Sequence, residues 1–163
     1  MKKHHIQFEL TECGNIAELE ASDKRLLEAA IKARKNAYAP YSGFKVGAAV
    51  LLENGEIVVG NNQENASYPA GLCAERVAIF QAGAIYPNVA VLSVAISAAA
   101  ETHLVDRPAG PCGSCRQAMM EYEQKQNSPI RLLMQGEEGP IYICNAIADI
   151  LPLAFGNSFL DNS

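Results

Sequence analysis

The sequence predicts an α/β fold: a three-layer α/β/α sandwich around a mixed five-stranded sheet. Three observations predict it. Helix-period and strand-period segments follow in the order helix, two strands, helix, strand, helix, two strands, helix, and such alternation implies a sheet covered on both faces. "VLSVAIS" is a nearly continuous apolar run, as a central strand buried on both sides requires. "FKVGAAVLLE" and "EIVVGNNQ" flank Asn54-Gly55, a strong hairpin signal.

Ile6, Phe8 and Leu10 alternate with polar residues and predict a short strand ahead of this series. Ser22 or Asp23 can cap a helix to about Tyr38, with Leu26, Leu27, Ala30, Ile31 and Ala37 on one side. "APYSG" ends it, because proline and glycine break the pattern. After the hairpin, a helix is expected from about Cys73 to Gly83, then the central strand, then a helix beginning near Cys112. "IRLLMQ" and "PIYIC" are two strands joined through "GEEGP", and a short helix near "AIADILP" precedes an irregular tail. There is no internal repeat and no low-complexity linker, so residues 1–163 are expected to form a single domain, with residues 1–21 as an extension of unclear role.

The chain has 163 residues, enough for one hydrophobic core; 49% are hydrophobic and 19% charged, which excludes a disordered chain. No run approaches the ~18 apolar residues of a membrane span. The first residues lack the long apolar stretch of a secretory signal. A net charge of −5 argues against a nucleic-acid partner and favours a small ligand of little charge. His4 and His5 are read as exposed terminal residues, not as a metal site. Five cysteines, an odd number, argue for a reducing compartment and a cytoplasmic protein without a disulfide framework.

Three cysteines stand in unusual contexts. In "PCGSC", Cys112 and Cys115 form a C-x-x-C, a spacing used by redox dithiols, structural zinc and catalytic zinc. A helix start there lowers thiol pKa through partial positive charge and free N–H groups. In "GLCAER", Cys73 begins another helix and Glu75 lies two residues on. A closed structural zinc would need a fourth protein ligand, for which Cys144 or His103 could serve. Three ligands instead leave one tetrahedral position for water, and Glu75 could reach that position without binding the metal. By itself Glu75 is only an acidic residue in a first helical turn, common and mildly stabilising. Cys73-Ala74-Glu75 followed by Pro111-Cys112-Gly113-Ser114-Cys115 resembles, however, the signature of zinc deaminases in their three-cysteine form.

"FKVGAAVL", "NNQENASYPAGLCAER", "PCGSCRQ" and "LPLAF", in this order, resemble the cytidine deaminases, specifically their small homotetrameric zinc type; the likeness runs from about Leu26 to Phe155. It implies hydrolysis of cytidine and deoxycytidine to uridine and deoxyuridine plus ammonia, in pyrimidine salvage. Cys73, Cys112 and Cys115 would hold Zn²⁺, and water would add to pyrimidine C4. Glu75 would carry protons to ring N3 and to the leaving amino group. Three thiolates leave the zinc centre with net negative charge, so something must draw density from the sulfurs; the resemblance gives that work to Arg76. It places Phe44 on the pyrimidine ring, Asn62 and Glu64 on the ribose hydroxyls, and Ala74 at the substrate. Tyr68 and Phe155 would help complete a neighbouring subunit's pocket. A carboxylate at the ribose favours a nucleoside over a nucleotide or polynucleotide. One departure is Pro69 and Gly71 in "SYPAGLC", where many relatives carry other residues. Two alternatives remain at this stage: a deaminase of a related nucleoside such as blasticidin S, and a non-catalytic zinc-stabilised module.

Overall fold

The computed structural model describes residues 1–160. The period-two segments become strands: β1 Thr11–Cys13, β2 Phe44–Leu52, β3 Ile57–Asn61, β4 Val91–Ala100, β5 Arg131–Gln135 and β6 Ile141–Cys144. The helix-period segments become α1 Ala21–Arg34, α2 Ala74–Ile85, α3 Gly113–Gln126 and the short α4 Ile147–Ile150. One sheet forms, in the order β1-β6-β5-β4-β2-β3. Only β4 and β5 run parallel; the other neighbours are antiparallel. The parallel pair is joined through α3, as parallel neighbours need a crossover. Gly55, with φ +85°, turns the β2–β3 hairpin without the penalty a Cβ would bring.

Alternation divides the sheet's side chains between two cores. Val50 and Leu52 of β2, Val94 and Ile96 of β4 and Leu132 of β5 pack with Ala78 and Ile79 of α2, Met119 of α3 and Ile147 of α4. Ala49, Ala95 and Leu133 point the other way, onto Leu26, Leu27 and Ala30 of α1. The sandwich therefore has α1 on one face and α2, α3 and α4 on the other. β4 is buried continuously from Ser93 to Ala98, which is why its sequence shows no polar alternation.

Two glycines set how closely the helices approach the sheet. A Cβ on Gly47 would lie 2.1 Å from the Ala30 carbonyl oxygen in α1. A Cβ on Gly60 would lie 2.5 Å from Ala78 N and 2.7 Å from Ala74 O in α2. The obstacles are backbone atoms, so no side-chain rotation relieves them. Gly47→Ala is expected to destabilise the protein by ~1–3 kcal/mol, the usual range for overpacking. Urea unfolding should show the midpoint fall with an unchanged slope; an unmoved midpoint would mean α1 lifts off β2 at no cost.

The sheet has six strands where five were expected. The sixth, β1, pairs with β6 at the edge, so part of the 1–21 extension belongs to the sheet. It is displaced from the alternating Ile6, Phe8 and Leu10, which stay exposed. Alternation there meets no second layer; the extension packs on the α1-side core only through Cys13, Ile16 and Leu19. α1 also stops at Arg34, short of Tyr38. Tyr38 instead donates its N–H to the Asn62 carbonyl at 3.0 Å and accepts from Glu64 N at 2.9 Å. A tertiary ladder thus overrides local helix propensity at this point. The helix cap is Glu20, not Ser22 or Asp23, and Asp23 is buried in an ion pair with Arg131.

Candidate active site

Cys73 and Cys112 are the N-cap residues of α2 and α3, both in extended backbone conformation. Each carbonyl accepts the first helical bond of its helix, from Val77 N and Arg116 N respectively. Neither side chain caps its own helix, so both sulfurs are free to face across. Cys115 follows one turn into α3 and is fully buried. The Cys73 and Cys112 sulfurs are 4.0 Å apart, and those of Cys112 and Cys115 3.5 Å apart. Tetrahedral zinc with bonds of ~2.3 Å requires sulfurs about 3.8 Å apart, and the observed separations bracket that value. The donor set therefore fits Zn²⁺. Among the described residues no further Cys, His, Asp or Glu joins this cluster within 4.8 Å. Neither Cys144 nor His103 supplies a fourth ligand, and the open-position arrangement stands over the closed one.

The electrostatics of the cluster favour a thiolate at Cys73. The Cys73 thiol is lowered to about 5, first by its hydrogen bond with Cys115, against the opposing effect of burial, and further by Arg76 and Cys112. Cys115, the partner that retains the proton, is pushed up by the same bond and by burial. Arg76 Nη2 lies 3.8 Å from the Cys73 sulfur and 3.5 Å from the Gly71 carbonyl oxygen. That contact with Cys73 is the main reason the guanidinium holds its proton more tightly than usual. Arg76 Nε is buried without a protein partner.

Glu75 is only 5% exposed in the first turn of α2. Burial raises its pKa above the usual carboxylate range, its backbone N–H partly offsets this, and the neighbouring Cys73 thiolate raises it further. It stands beside the three sulfurs without joining them. A carboxyl that holds a proton next to a metal-ligating cluster is suited to acid–base work.

A cavity of about 450 Å³ opens against Cys73 and Arg76 and is lined also by Asn62, Glu64, Tyr68 and Ser42. Asn62 and Glu64 lie just beyond the end of β3, where reciprocal bonds between Gln63 and Leu72 keep the chain extended. Asn62 Oδ1 accepts from Val46 N at 2.8 Å, and its Nδ2 donates to Phe44 O at 2.9 Å. Glu64 accepts from Tyr41 N at 2.9 Å, Ser42 N at 3.3 Å and Ser42 Oγ at 2.5 Å. These bonds, that of the Ser42 hydroxyl foremost, hold its carboxyl below the usual range, so a fixed negative charge sits on the cavity wall. Tyr41 and Tyr68 rings pack at 5.9 Å.

The structure thus brings together Asn62, Glu64, Tyr68, Cys73 and Arg76 around one cavity, with Glu75, Cys112 and Cys115 adjoining through the sulfur cluster. Three further expected residues lie outside the lining of that cavity. Phe44 lines a separate cavity with the segment from His103 to Ala109. Ala74 is fully buried, its methyl in the core. Phe155 is 58% exposed and stacks on Phe159 with ring centroids 5.7 Å apart. Tyr41 and Ser42 were missed as site residues, because "APYSG" signalled only a helix end. Its exposed aromatic and hydroxyl at a turn beside a strand start were the available cue.

Comparisons with known proteins agree with this geometry. Residues 20–128 match the model of the cytidine and deoxycytidylate deaminase zinc-binding region. A cytidine deaminase of Halalkalibacterium halodurans is 42% identical over 130 residues, covering 80% of this chain and 91% of that protein. One from Sporosarcina psychrophila is 37% identical, covering 84% and 93%. The crystal structure of a cytidine deaminase from Burkholderia pseudomallei superposes with a TM-score of 0.69 at 36% identity, covering 80% of this chain and 97% of that one.

Proposed function

This chain belongs to the cytidine and deoxycytidylate deaminase zinc-binding family, and on that premise we propose that it hydrolyses cytidine and deoxycytidine to uridine and deoxyuridine with release of ammonia. The observation that carries the proposal is the meeting of three sulfurs at two helix starts beside one buried carboxyl. Zn²⁺ held by Cys73, Cys112 and Cys115 would supply the Lewis acidity that makes water nucleophilic at neutral pH.

The chain's own residues do the rest. The reaction breaks the C4–N bond and forms a C4–O bond; of the two water hydrogens, one ends on ring N3 and the other on ammonia. Glu75 carries both, accepting each proton on its carboxylate and delivering it to the next acceptor. Its raised pKa lets it hold the proton between transfers. Arg76 draws negative charge from the Cys73 thiolate across 3.8 Å. Glu64, fixed by its three bonds to Tyr41 and Ser42, offers acceptor oxygens to a sugar hydroxyl and repels a phosphate. Asn62 is tied to β2 and holds the cavity edge that a ribose would meet.

Tyr68 is 75% exposed, and Phe155 lies outside its own chain's cavity with most of its ring exposed. Both features support a homotetramer in which neighbours complete one another's pockets. Among the described residues no helix is long and apolar enough to cross a membrane. The five free thiols fit a reducing compartment, and the setting proposed is that of a single-domain cytoplasmic enzyme of pyrimidine salvage.

The test is an ultraviolet assay of cytidine conversion on purified protein, with zinc measured on the same sample. Turnover of cytidine with about one zinc per chain is expected. Zinc-loaded protein that leaves cytidine and deoxycytidine untouched would overturn the assignment.

A further inference from the structure

Of the three zinc-ligating cysteines, Cys112 is the one the fold holds least. Cys115 is fully buried inside α3, and Cys73 is partly buried beneath Arg76. Cys112 is exposed, and so are Gly113 and Ser114 after it. Gly113 has nothing within 4 Å of where a Cβ would be, so that side of the turn faces open space. Yet the Cys112 sulfur lies 3.5 Å and 4.0 Å from its two partners, which requires the Pro111–Cys112 peptide to be fixed.

Arg116 is placed to fix it. Its Nε donates to the Pro111 carbonyl oxygen at 2.9 Å, and its Nη1 donates to the Ile150 carbonyl oxygen at 2.8 Å. The guanidinium is partly buried, and among the described residues no carboxylate forms an ion pair with it. Its charge is spent on two main-chain oxygens, one immediately ahead of Cys112 and one at the end of α4. α4 is itself a firm anchor: the buried Glu123 carboxylate accepts from Ile147 N at 2.8 Å and Ala148 N at 3.0 Å. A rigid planar fork can span two such acceptors, which a flexible ammonium does less well.

We propose that Arg116 is a positioning residue for the metal centre, clamping the Pro111–Cys112 peptide to α4 so that the exposed sulfur is pre-set for zinc. This rests on the zinc reading of the three cysteines. Loss of groups that orient metal ligands typically costs 10–100-fold in metal affinity. In zinc-loaded Arg116→Ala protein, transfer of zinc to a chromogenic chelator should therefore show an affinity about 10–100-fold weaker than wild type. Arg116→Lys, which can keep one of the two bonds, should fall between. With cobalt substituted for zinc, the sulfur-to-cobalt charge-transfer bands should shift or weaken in Arg116→Ala while the far-ultraviolet circular dichroism stays as in wild type.

If Arg116→Ala does not fold, Arg116→Lys carries the test: weakened zinc binding supports the clamp, and wild-type zinc binding overturns it. Folded Arg116→Ala that keeps wild-type zinc affinity and cobalt spectra overturns it outright. Wild-type protein that takes up no zinc would overturn the deaminase assignment and this inference with it. Wild-type protein that holds zinc, beside an Arg116→Ala chain that holds it equally, overturns this inference alone.

Discussion

Glu75→Gln is expected to lower kcat for cytidine by about 10²–10⁴-fold, the usual contribution of a placed general acid–base. Zinc content and fold should be unchanged. The amide nearly matches the carboxyl in shape, so the first turn of α2 and the core beneath it are undisturbed. What it lacks is a proton it can take up and release. Stability supplies a second readout. Folded Glu75 binds its proton more tightly than it does in the unfolded chain, because burial and the Cys73 thiolate both oppose ionisation. Its favourable linkage is therefore complete at low pH and is lost as pH rises through the raised pKa. At neutral and higher pH, replacing it with an amide should leave the melting temperature unchanged or raised. Lower activity with equal or higher stability is the mark of a group kept for chemistry. A variant with wild-type kcat would remove Glu75 from the mechanism; one that lost zinc as well would give it a role in holding the metal.

The parts of this site legible in the sequence are those whose chemistry is local. Cys112 and Cys115 share one helix turn, so spacing alone puts their sulfurs on one side. Cys73 and Glu75 are separated by a single residue at a helix start, and the N-cap is where an unusual polar residue shows against an apolar helix. The hairpin was legible because Gly55 needs a positive φ, and β4 because both its faces are buried. What escaped depends on contacts between distant segments. Nothing near Tyr38 announces that its backbone will pair with Asn62 and Glu64. Ser42 gains its role only when the hairpin end brings Glu64 within 2.5 Å. Nothing local marks Arg116, because its second acceptor is the Ile150 carbonyl at the end of α4, far along the chain. Phe44 shows the converse: a strand start was correctly placed, but strand pairing does not say which cavity its ring will line.

Cys115→Ser is expected to reduce zinc to a small fraction of one per chain and to bring cytidine turnover to background. The serine hydroxyl is close in size to the thiol but stays protonated at neutral pH, so it does not replace an anionic ligand. Only the partly buried Cys73 and the exposed Cys112 remain, on two different helices, and a two-sulfur site holds zinc far less well. Stability makes the ligand role separable from packing. A ligand that binds only the folded state stabilises it by RT ln(1 + [L]/Kd), about 4 kcal/mol at 1,000 times Kd. Wild-type melting should therefore rise with added zinc, and that of Cys115→Ser should not. Cys13→Ser, at the sheet edge and outside the cluster, should leave zinc content, turnover and the zinc-dependent rise in melting as in wild type. If Cys115→Ser instead kept stoichiometric zinc and the same rise, Cys115 would be a packing residue that happens to face two ligands, and the three-sulfur centre would have to be abandoned.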